Sequence, residues 1–357
     1  MSKENYRRLG DYIREVDVRN RDLKVKELLG VSVSKEFIPS IANTIGTDMS
    51  SYKIVKFRQF VYIEDTSRRG DKIAIALLQD FKEAIVSSIY TVFEVKNQDE
   101  LLPEYLMMWF RRPEFDRYAR FKSHGSAREI FSWEEMCDVF LPIPSIEQQR
   151  KIVAEYETIS RRIRLNKQII TRLEETAQTL YRKMFVDEID KENLPEGWRM
   201  GTLEEIADFK NGKAIKTNNG IIPIYGGNGI VGYTESFNAK NVIIIGRVGI
   251  NCGNAFLEPN KCWVNDNAMM AMSKSNNIYF LYWLIRGMDL NSQSEGSGQP
   301  LLTQVILNQQ ECLIPSHIAI KRFDDQAKIL VRNIFLMQRE IIKSTELQSL
   351  LLAKMGQ

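Results

Sequence analysis

An internal repeat is the feature that most constrains how this 357-residue chain can fold. The segment "SHGSAREIFS" at residues 123–132 is echoed by "SEGSGQPLLT" at 294–303, an offset of 171 residues. The same offset carries the "IPS" of 143–145 to 314–316 and the "KM" of 183–184 to 354–355 without a gap. Similarity sustained over that length predicts that one structural unit occurs twice.

Each copy continues as a heptad pattern. In each copy nine of the eleven seam positions are apolar, and neither glycine nor proline interrupts the pattern. This spacing predicts two long helices with coiled-coil seams, each about 60 Å long if it has about forty residues. Ser145 and Gln148 have the spacing of a capping box at the first helix start. Ala319 stands in place of Gln148 in the second copy, so we expect the box to be lost there.

Each seam needs a partner, and the nearest partner is the other copy. We expect antiparallel pairing, because it places the segments that precede the helices at opposite ends. A register with Tyr156 opposite Ser344, Leu173 opposite Ala327 and Ala177 opposite Phe323 sets large side chains against small ones. The predicted pairing positions are Tyr156, Ile163, Ile170, Leu173, Ala177, Leu180, Phe323, Ala327, Leu330, Ile334, Ile341 and Leu351.

The segments before the helices mix strand and helix patterns. Runs such as "YKIVKFRQFVYI", "AIVSSIYTVFEV", "IIPIYG", "NVIIIGRVG" and "NAFLEP" predict strands, whereas "PEYLMMWFRR" and "IYFLYWLIRG" predict short helices. The predicted fold class is α+β: two mixed α/β domains, each followed by a long helix, with the helices paired as an antiparallel coiled coil of pseudo-two-fold symmetry. The expected boundaries are a first domain at 1–144, a helix at 145–186, a linker at 187–197, a second domain at 198–315 and a helix at 316–357.

Composition narrows the class of protein. A hydrophobic content of 44% with 27% charged residues is typical of a folded protein. Apolar runs are too short to cross a membrane, and the N-terminus lacks the apolar core of a signal peptide, so we expect a cytoplasmic protein without a membrane partner. Four cysteines without a C-x-x-C pair and two histidines favour reduced thiols and no metal site.

Catalytic signatures are weak. Gly227, Gly229 and Gly232 satisfy G-x-G-x-x-G, but a strand rather than a helix is expected to follow, which argues against a dinucleotide site. Walker, methyltransferase and G-x-S-x-G signatures are missing. The sequence therefore indicates no catalytic residue and no cofactor, although a nuclease site of dispersed carboxylates stays open as an alternative.

Two unlike heads on a rod suit a ligand with two separated halves, and DNA is the natural one. The phrase "LPIPSIEQQRKI" at 141–152, followed by a heptad helix and then repeated, resembles the DNA-specificity (S) subunit of type I restriction–modification systems. "IPIYGGNGIVGYTESF" and "NVIIIGRVGINCGNAFLEPNKCWVNDNAMMAM" are similar to that family's target-recognition domains, as are "LLGVSVSKEFIPS" and "YKIVKFRQFVYI".

This resemblance implies a mechanism. Each domain would read one half of an asymmetric, interrupted double-stranded DNA target, and the helices would set the gap and dock two methylase subunits. S-adenosylmethionine, ATP and Mg would belong to the methylase and restriction subunits, so this chain would not be an enzyme. A stand-alone bipartite DNA-binding regulator and a protein-binding scaffold are the alternatives.

Candidate DNA contacts lie in glycine-punctuated loops with donor side chains. They are Arg68, Arg69, Lys72, Ser123, His124, Ser126, Arg128, Lys210, Asn211, Lys213, Lys216, Asn228, Arg247, Ser294, Ser297 and Gln299. Arg128 stands at the repeat position of Gln299, and Arg suits guanine where Gln suits adenine. Plain helix-entering turns and a solvated hairpin tip are the alternatives for these loops.

Overall fold

The computed structural model describes residues 6–40, 47–66, 72–124, 129–292 and 301–356. The chain divides into two compact units: unit 1 comprises residues 1–165 and 340–357, and unit 2 comprises residues 166–339. Both boundaries fall inside the long helices, so each unit combines one head with part of each helix. Head 1 is residues 6–144 and head 2 is residues 198–315. Among the described residues, no helix is both long and apolar enough to cross a membrane.

Unit 1 is built on antiparallel strands and three short helices. The strands are β1 Tyr6–Arg8, β2 Ile13–Val16, β3 Leu29–Val31, β4 Phe37–Pro39, β5 Lys53–Lys56, β6 Phe60–Tyr62, β7 Ile75–Leu77, β8 Glu83–Val86, β9 Thr91–Val95 and β10 Phe140–Pro142. The helices are α1 Pro103–Phe110, α2 Pro113–Lys122 and α3 Trp133–Cys137. Four strands form a central sheet in the order β2-β9-β6-β7, and β3–β4, β5–β8 and β1–β10 form separate pairs.

The central sheet of unit 1 buries both faces, because side chains alternate along a strand. Phe60 stacks on Phe93 with ring centroids 4.8 Å apart, and Phe110 of α1 meets Phe60 edge-on at 5.7 Å. Val61 points the other way, into a second buried cluster with Val92. The helix predicted from "PEYLMMWFRR" is thereby confirmed as α1, which seals the aromatic face.

Unit 2 has one larger sheet. Its strands are β11 Arg199–Thr202, β12 Ala207–Asn211, β13 Ile222–Gly226, β14 Gly229–Thr234, β15 Ala239–Gly246, β16 Ala255–Val264, β17 Ala268–Ser273 and β18 Glu311–Ile314. Its short helices are α5 Leu203–Ile206, α6 Ile278–Gly287 and α7 Gln304–Asn308. Six strands run in the order β12-β17-β15-β16-β13-β14, and the pairing is antiparallel except between β13 and β16.

The continuous apolar run in β15 reflects burial on both faces, with Ile243 and Ile245 in one cluster and Val242 and Ile244 in the other. The glycine-rich segment before it forms the β13–β14 hairpin, and Gly229 has a φ of +96° in the turn. A strand, β14, follows the glycines, as the sequence predicted.

Two long helices carry the repeat: α4 spans Ile146–Phe185 and α8 spans His317–Lys354. In unit 1, the start of α4 packs with the end of α8, where Gln348 Nε2 donates to Ser160 Oγ at 2.6 Å. In unit 2, the end of α4 packs with the start of α8, where the rings of Tyr181 and Phe323 lie 5.7 Å apart. The predicted antiparallel pairing is therefore confirmed. None of the twelve predicted pairing positions is exposed.

The predicted register is wrong by one to two helical turns. It set Phe323 opposite Ala177, but Phe323 lies between Tyr181 and Phe185, at ring-centroid distances of 5.7 and 5.5 Å. Phe185 also meets Phe280 of α6 at 5.1 Å. The register is thus fixed by an aromatic cluster that includes the head, not by matching large to small side chains along the two helices alone.

The repeat is visible at the junction of each head with its long helix. The first and last strands of each head pair with each other, β1 with β10 and β11 with β18. Ser132 and Thr303, 171 residues apart, cap α3 and α7 by accepting from Glu135 N–H and Ile306 N–H. Before the long helices, both Ser145 and Ser316 accept a backbone N–H at 3.4 Å, so the hydroxyl cap survives in the second copy.

Candidate nucleic-acid interface

In head 1, the fold brings together two candidate loops that are distant in sequence. Thr66 N–H donates to Glu129 O and Phe131 N–H donates to Glu64 O, both at 2.9 Å. Thr66 Oγ1 also donates to Ser123 Oγ at 2.9 Å. The loop after Thr66 and the loop after His124 therefore rise from one shared base. Their tips, with the candidates Arg68, Arg69, Ser126 and Arg128, lie outside the described residues.

Ser123 and His124 have different places in that base. Ser123 is buried, and its hydroxyl donates to Ala119 O at 2.6 Å while it accepts from Thr66. Ser123 thus anchors the loop. The backbone of His124 pairs with Ile130 through hydrogen bonds of 3.1 and 2.9 Å, and its imidazole is exposed, 3.9 Å from Glu135.

A buried ion pair supports the other leg of the first loop. Lys35 Nζ lies 2.6 Å from Asp116 Oδ1, which also accepts from Ile73 N–H at 3.2 Å. Burial lowers the pKa of Lys35, and the Asp116 carboxylate opposes that shift. The candidate Lys72 directly precedes Ile73 and is exposed. Its position is therefore set by a charged pair in the interior.

In head 2, three turns meet at two glycines, one of which, Gly246, leaves no room for a side chain. A Cβ on Gly227 would lie 3.3 Å from Asn267 O and 3.6 Å from Gly246 Cα. A Cβ on Gly246 would overlap the backbone of Asn251 and Gly227. The turns at 226–229, 247–254 and 265–267 are consequently in contact, which brings the candidates Asn228 and Arg247 to one place.

The other candidates of head 2 approach this place to different degrees. Gly212 N–H donates to Ala268 O and Lys213 N–H donates to Val264 O, both at 3.0 Å, so Asn211 and Lys213 flank the 265–267 turn. Lys210 is exposed on β12, at the edge of the sheet. Lys216 is also exposed, in the segment between β12 and β13.

The repeat loop of head 2 has its base against the hairpin that carries Arg247. Leu302 N–H donates to Arg247 O at 2.9 Å, and Asn291 Nδ2 donates to Cys252 O at 3.0 Å. These contacts hold both ends of the 293–300 segment, whose candidates Ser294, Ser297 and Gln299 lie outside the described residues. In both heads, therefore, the repeat loop starts beside a second loop with candidate DNA-contacting residues.

Comparison with known proteins assigns the family. A model described as "Type I restriction modification DNA specificity domain" matches residues 16–175 and 195–331. The chain belongs to this family. The repeat and the local phrases had indicated the same family.

Two relatives and one solved structure are also similar to this chain. The specificity subunit of Escherichia coli type I restriction enzyme EcoprrI is 31% identical over 136 residues, which is 35% of this chain and only 34% of that protein. The MjaIX specificity subunit of Methanocaldococcus jannaschii is 22% identical over 303 residues, 72% of this chain and 69% of that protein. A type I S subunit from M. genitalium has the same fold, with a TM-score of 0.67 at 16% identity, covering 100% of this chain and 97% of that one.

Sequence reasoning missed part of the polar surface of head 2. Asn251 and Asn267 lie where the three turns of head 2 meet, and Asn265 Oδ1 accepts from Asn267 N–H at 3.0 Å to shape the turn. The signal was the "NDN" at 265–267, a turn composition between two apolar strands.

None of the four cysteines, all of which lie in the described part of the chain, forms a disulfide. Burial raises the pKa of Cys262 to about 12 and that of Cys312 to about 11, so both stay protonated at neutral pH. Among the described residues, no group of three or more His, Cys, Asp or Glu side chains could hold a metal ion.

Four basic side chains near the middle of α4 are accessible. Arg161, Arg162, Arg164 and Lys167 are all exposed, and Arg162 forms an ion pair with Glu340 of α8. Arg162 is exposed and Glu340 is half-buried, so this ion pair contributes little to stability.

Proposed function

We propose that each head of this specificity subunit reads one half of an asymmetric, interrupted double-stranded DNA target in the cytoplasm. The paired helices α4 and α8 set the length of the unread gap and dock two methylase subunits. Restriction subunits join that complex. Methylation with S-adenosylmethionine, and ATP- and Mg-dependent cleavage, are carried by these partners, and this chain supplies recognition.

The observation that carries this proposal is the shared construction of the two candidate surfaces. Each repeat loop leaves its head beside a second loop with candidate base-reading or phosphate-binding groups, but the side chains differ between heads. Head 1 presents Lys72 and His124 at its loop base, whereas head 2 presents Asn228 and Arg247. Equivalent placement with unequal chemistry suits two readers of different half-sites.

The gap-setting role is tested by removing one heptad from each long helix, at positions that face each other. Seven residues at 1.5 Å shorten each helix by about 10 Å, close to the rise of three base pairs of DNA at about 3.4 Å each. Methylome sequencing of cells with the shortened subunit should show both half-sites unchanged and the gap reduced by about three base pairs. An unchanged gap would contradict the proposed role of the helices.

The alternatives differ in two further measurements. A DNA reader that neutralises phosphates loses affinity steeply as salt rises, whereas a protein scaffold shows no salt-sensitive DNA binding. A stand-alone regulator would bind the bipartite target without a methylase, so co-purification of methylase subunits with the full chain separates it from the proposed complex.

A further inference from the structure

The hairpin between β15 and β16 carries an exposed side chain at its tip. Gly246 N–H donates to Asn254 O and Gly253 N–H donates to Gly246 O, both at 2.8 Å, which closes the hairpin below residues 247–252. Gly249 has a φ of +68°, and a Cβ added there would meet no described atom within 4 Å. The next residue, Ile250, is 89% exposed. The tip therefore projects away from head 2 with an isoleucine at its end.

The foot of the hairpin is held firmly. Arg247 N–H donates to Asn267 O at 3.1 Å, and Cys252 N–H donates to Gly249 O at 3.0 Å. The Cys252 thiol donates to Arg247 O at 3.4 Å. The tip is thus a short turn on a fixed base, not an extension of a loose loop.

The guanidinium of Arg247 includes a buried nitrogen, Nε. Within the described residues, no acceptor satisfies this nitrogen. A buried donor without an acceptor is costly, and a charged one more so. Turning the side chain outward to an acceptor from outside the chain would remove that cost. The neighbouring 265–267 turn contains one acidic residue, Asp266, which is exposed and does not accept from this nitrogen.

The three kinds of group at this hairpin match what the major groove displays. A guanidinium can bind guanine N7 and O6, an asparagine amide can bind adenine N6 and N7, and an apolar side chain can contact the thymine methyl. Arg247, Asn251 and Ile250 offer these groups within five residues.

We propose that hairpin 247–252 is the element of head 2 that enters the major groove, with Ile250 against a thymine methyl group and Arg247 on a neighbouring guanine. This inference rests on the proposed function of the two heads and names the residues that determine specificity in the second half-site. It requires that the second half-site contain at least one A·T pair, and a half-site of G·C pairs alone would overturn it.

The test uses the full chain with any methylase subunits that co-purify, and a duplex with the target found by methylome sequencing. Each thymine of the second half-site is replaced in turn by deoxyuridine, which removes only the methyl group. At one position the replacement should weaken wild-type binding about fourfold, the value for one buried methyl-sized group. The same replacement should have less than about a twofold effect on Ile250→Ala, because the contact is already lost.

Matched controls keep the result specific. Ile221 is equally exposed, at 90%, in the same head but outside this hairpin, so Ile221→Ala should respond to deoxyuridine as the wild type does. Ile250→Ala should bind the first half-site normally. If deoxyuridine weakens Ile250→Ala as much as the wild type at every position, the thymine contact is refuted. Loss of methylase co-purification with DNA specificity intact would instead make the tip a protein contact and also refute the proposal.

Arg247→Lys adds an independent readout, because it keeps the charge but loses the guanidinium fork. We expect a loss of about tenfold or more in preference for one G·C pair of the second half-site, with binding to random DNA unchanged. An equal loss on specific and random DNA would place Arg247 on phosphates and overturn its assignment. Failure of the wild-type chain to bind the bipartite target at all would refute the proposed function itself, a result distinct from these.

Discussion

Gln149 offers the sharpest test of how head 1 is attached to α4. Its side chain is fully buried, although it lies in a helix seam where apolar residues predominate. Its Oε1 accepts from Leu102 N–H at 2.9 Å, and its Nε2 donates to Glu100 O at 2.8 Å and to Pro144 O at 2.9 Å. One amide thus joins the start of α1 to the start of α4.

Replacing Gln149 with leucine keeps the size and removes all three hydrogen bonds. A buried polar group left without a partner costs about 1–3 kcal/mol. Leu102 N–H and Pro144 O belong to half-buried residues, whereas Glu100 is exposed and its carbonyl can turn to water. The expected loss is therefore about 3 kcal/mol. Gln149→Glu keeps only the acceptor and sets a carboxylate against two carbonyl oxygens, so it should be no better.

Hydrogen exchange measured by mass spectrometry localises the effect. A loss of about 3 kcal/mol should speed exchange in peptides covering residues 97–110 by about a hundredfold, since each 1.4 kcal/mol is a factor of ten. Peptides covering residues 278–287 of head 2 should be unchanged. Gln348→Ala removes a single half-buried hydrogen bond, to Ser160, and should cost less than about 1 kcal/mol. Unaltered protection of α1 in Gln149→Leu would refute the reasoning.

Two further predictions concern buried charges. Asp324 Oδ1 accepts from Tyr279 N–H and Phe280 N–H at the start of α6, and burial raises the pKa of this carboxyl group. The stability that Asp324 contributes is complete below the ordinary pKa of 3.8. It is lost as pH rises through the raised pKa of the folded state. Thermal unfolding from about pH 3.5 upward should therefore show wild type losing stability relative to Asp324→Asn, and a constant difference would contradict this. Lys35→Ala leaves Asp116 buried without its cation and should cost about 3–5 kcal/mol in chemical unfolding, more than Lys35→Met combined with Asp116→Asn; equal costs would contradict it.

The long helices could be predicted because an apolar seam sustained over about five heptads is satisfied by paired helices and by few alternative structures. The register could not, since the large-to-small rule considered the two helices alone. Phe323 settles instead among Tyr181 and Phe185, with Phe280 of α6 beside them. The register of the two long helices therefore depends on Phe280, a side chain that belongs to head 2.

The candidate surface, too, could be predicted only in part from the sequence. Composition and turn chemistry were enough to select Asn228 and Arg247 from the sequence. Their proximity depends on the close approach of Gly227, in the turn after β13, and Gly246, at the end of β15, two strands that are not neighbours in the sheet. Asn251 and Asn267 were missed because only that close approach brings them together, and no local sequence spacing indicates the approach.

Anchoring also differs between the heads, which bears on how a head can be exchanged for another of the family. The start of α1 is held by Gln149 of α4, whereas the start of α6 is held by Asp324 of α8. A junction at residue 144 would give a new first head the anchor of the old one. A junction after residue 160 would transfer the new head together with its own anchor residue. We expect the second chimera to be more stable by about 3 kcal/mol in chemical unfolding, with the same change of one half-site in the methylome. Equal stability of the two chimeras would show that the anchor residue does not belong with the head.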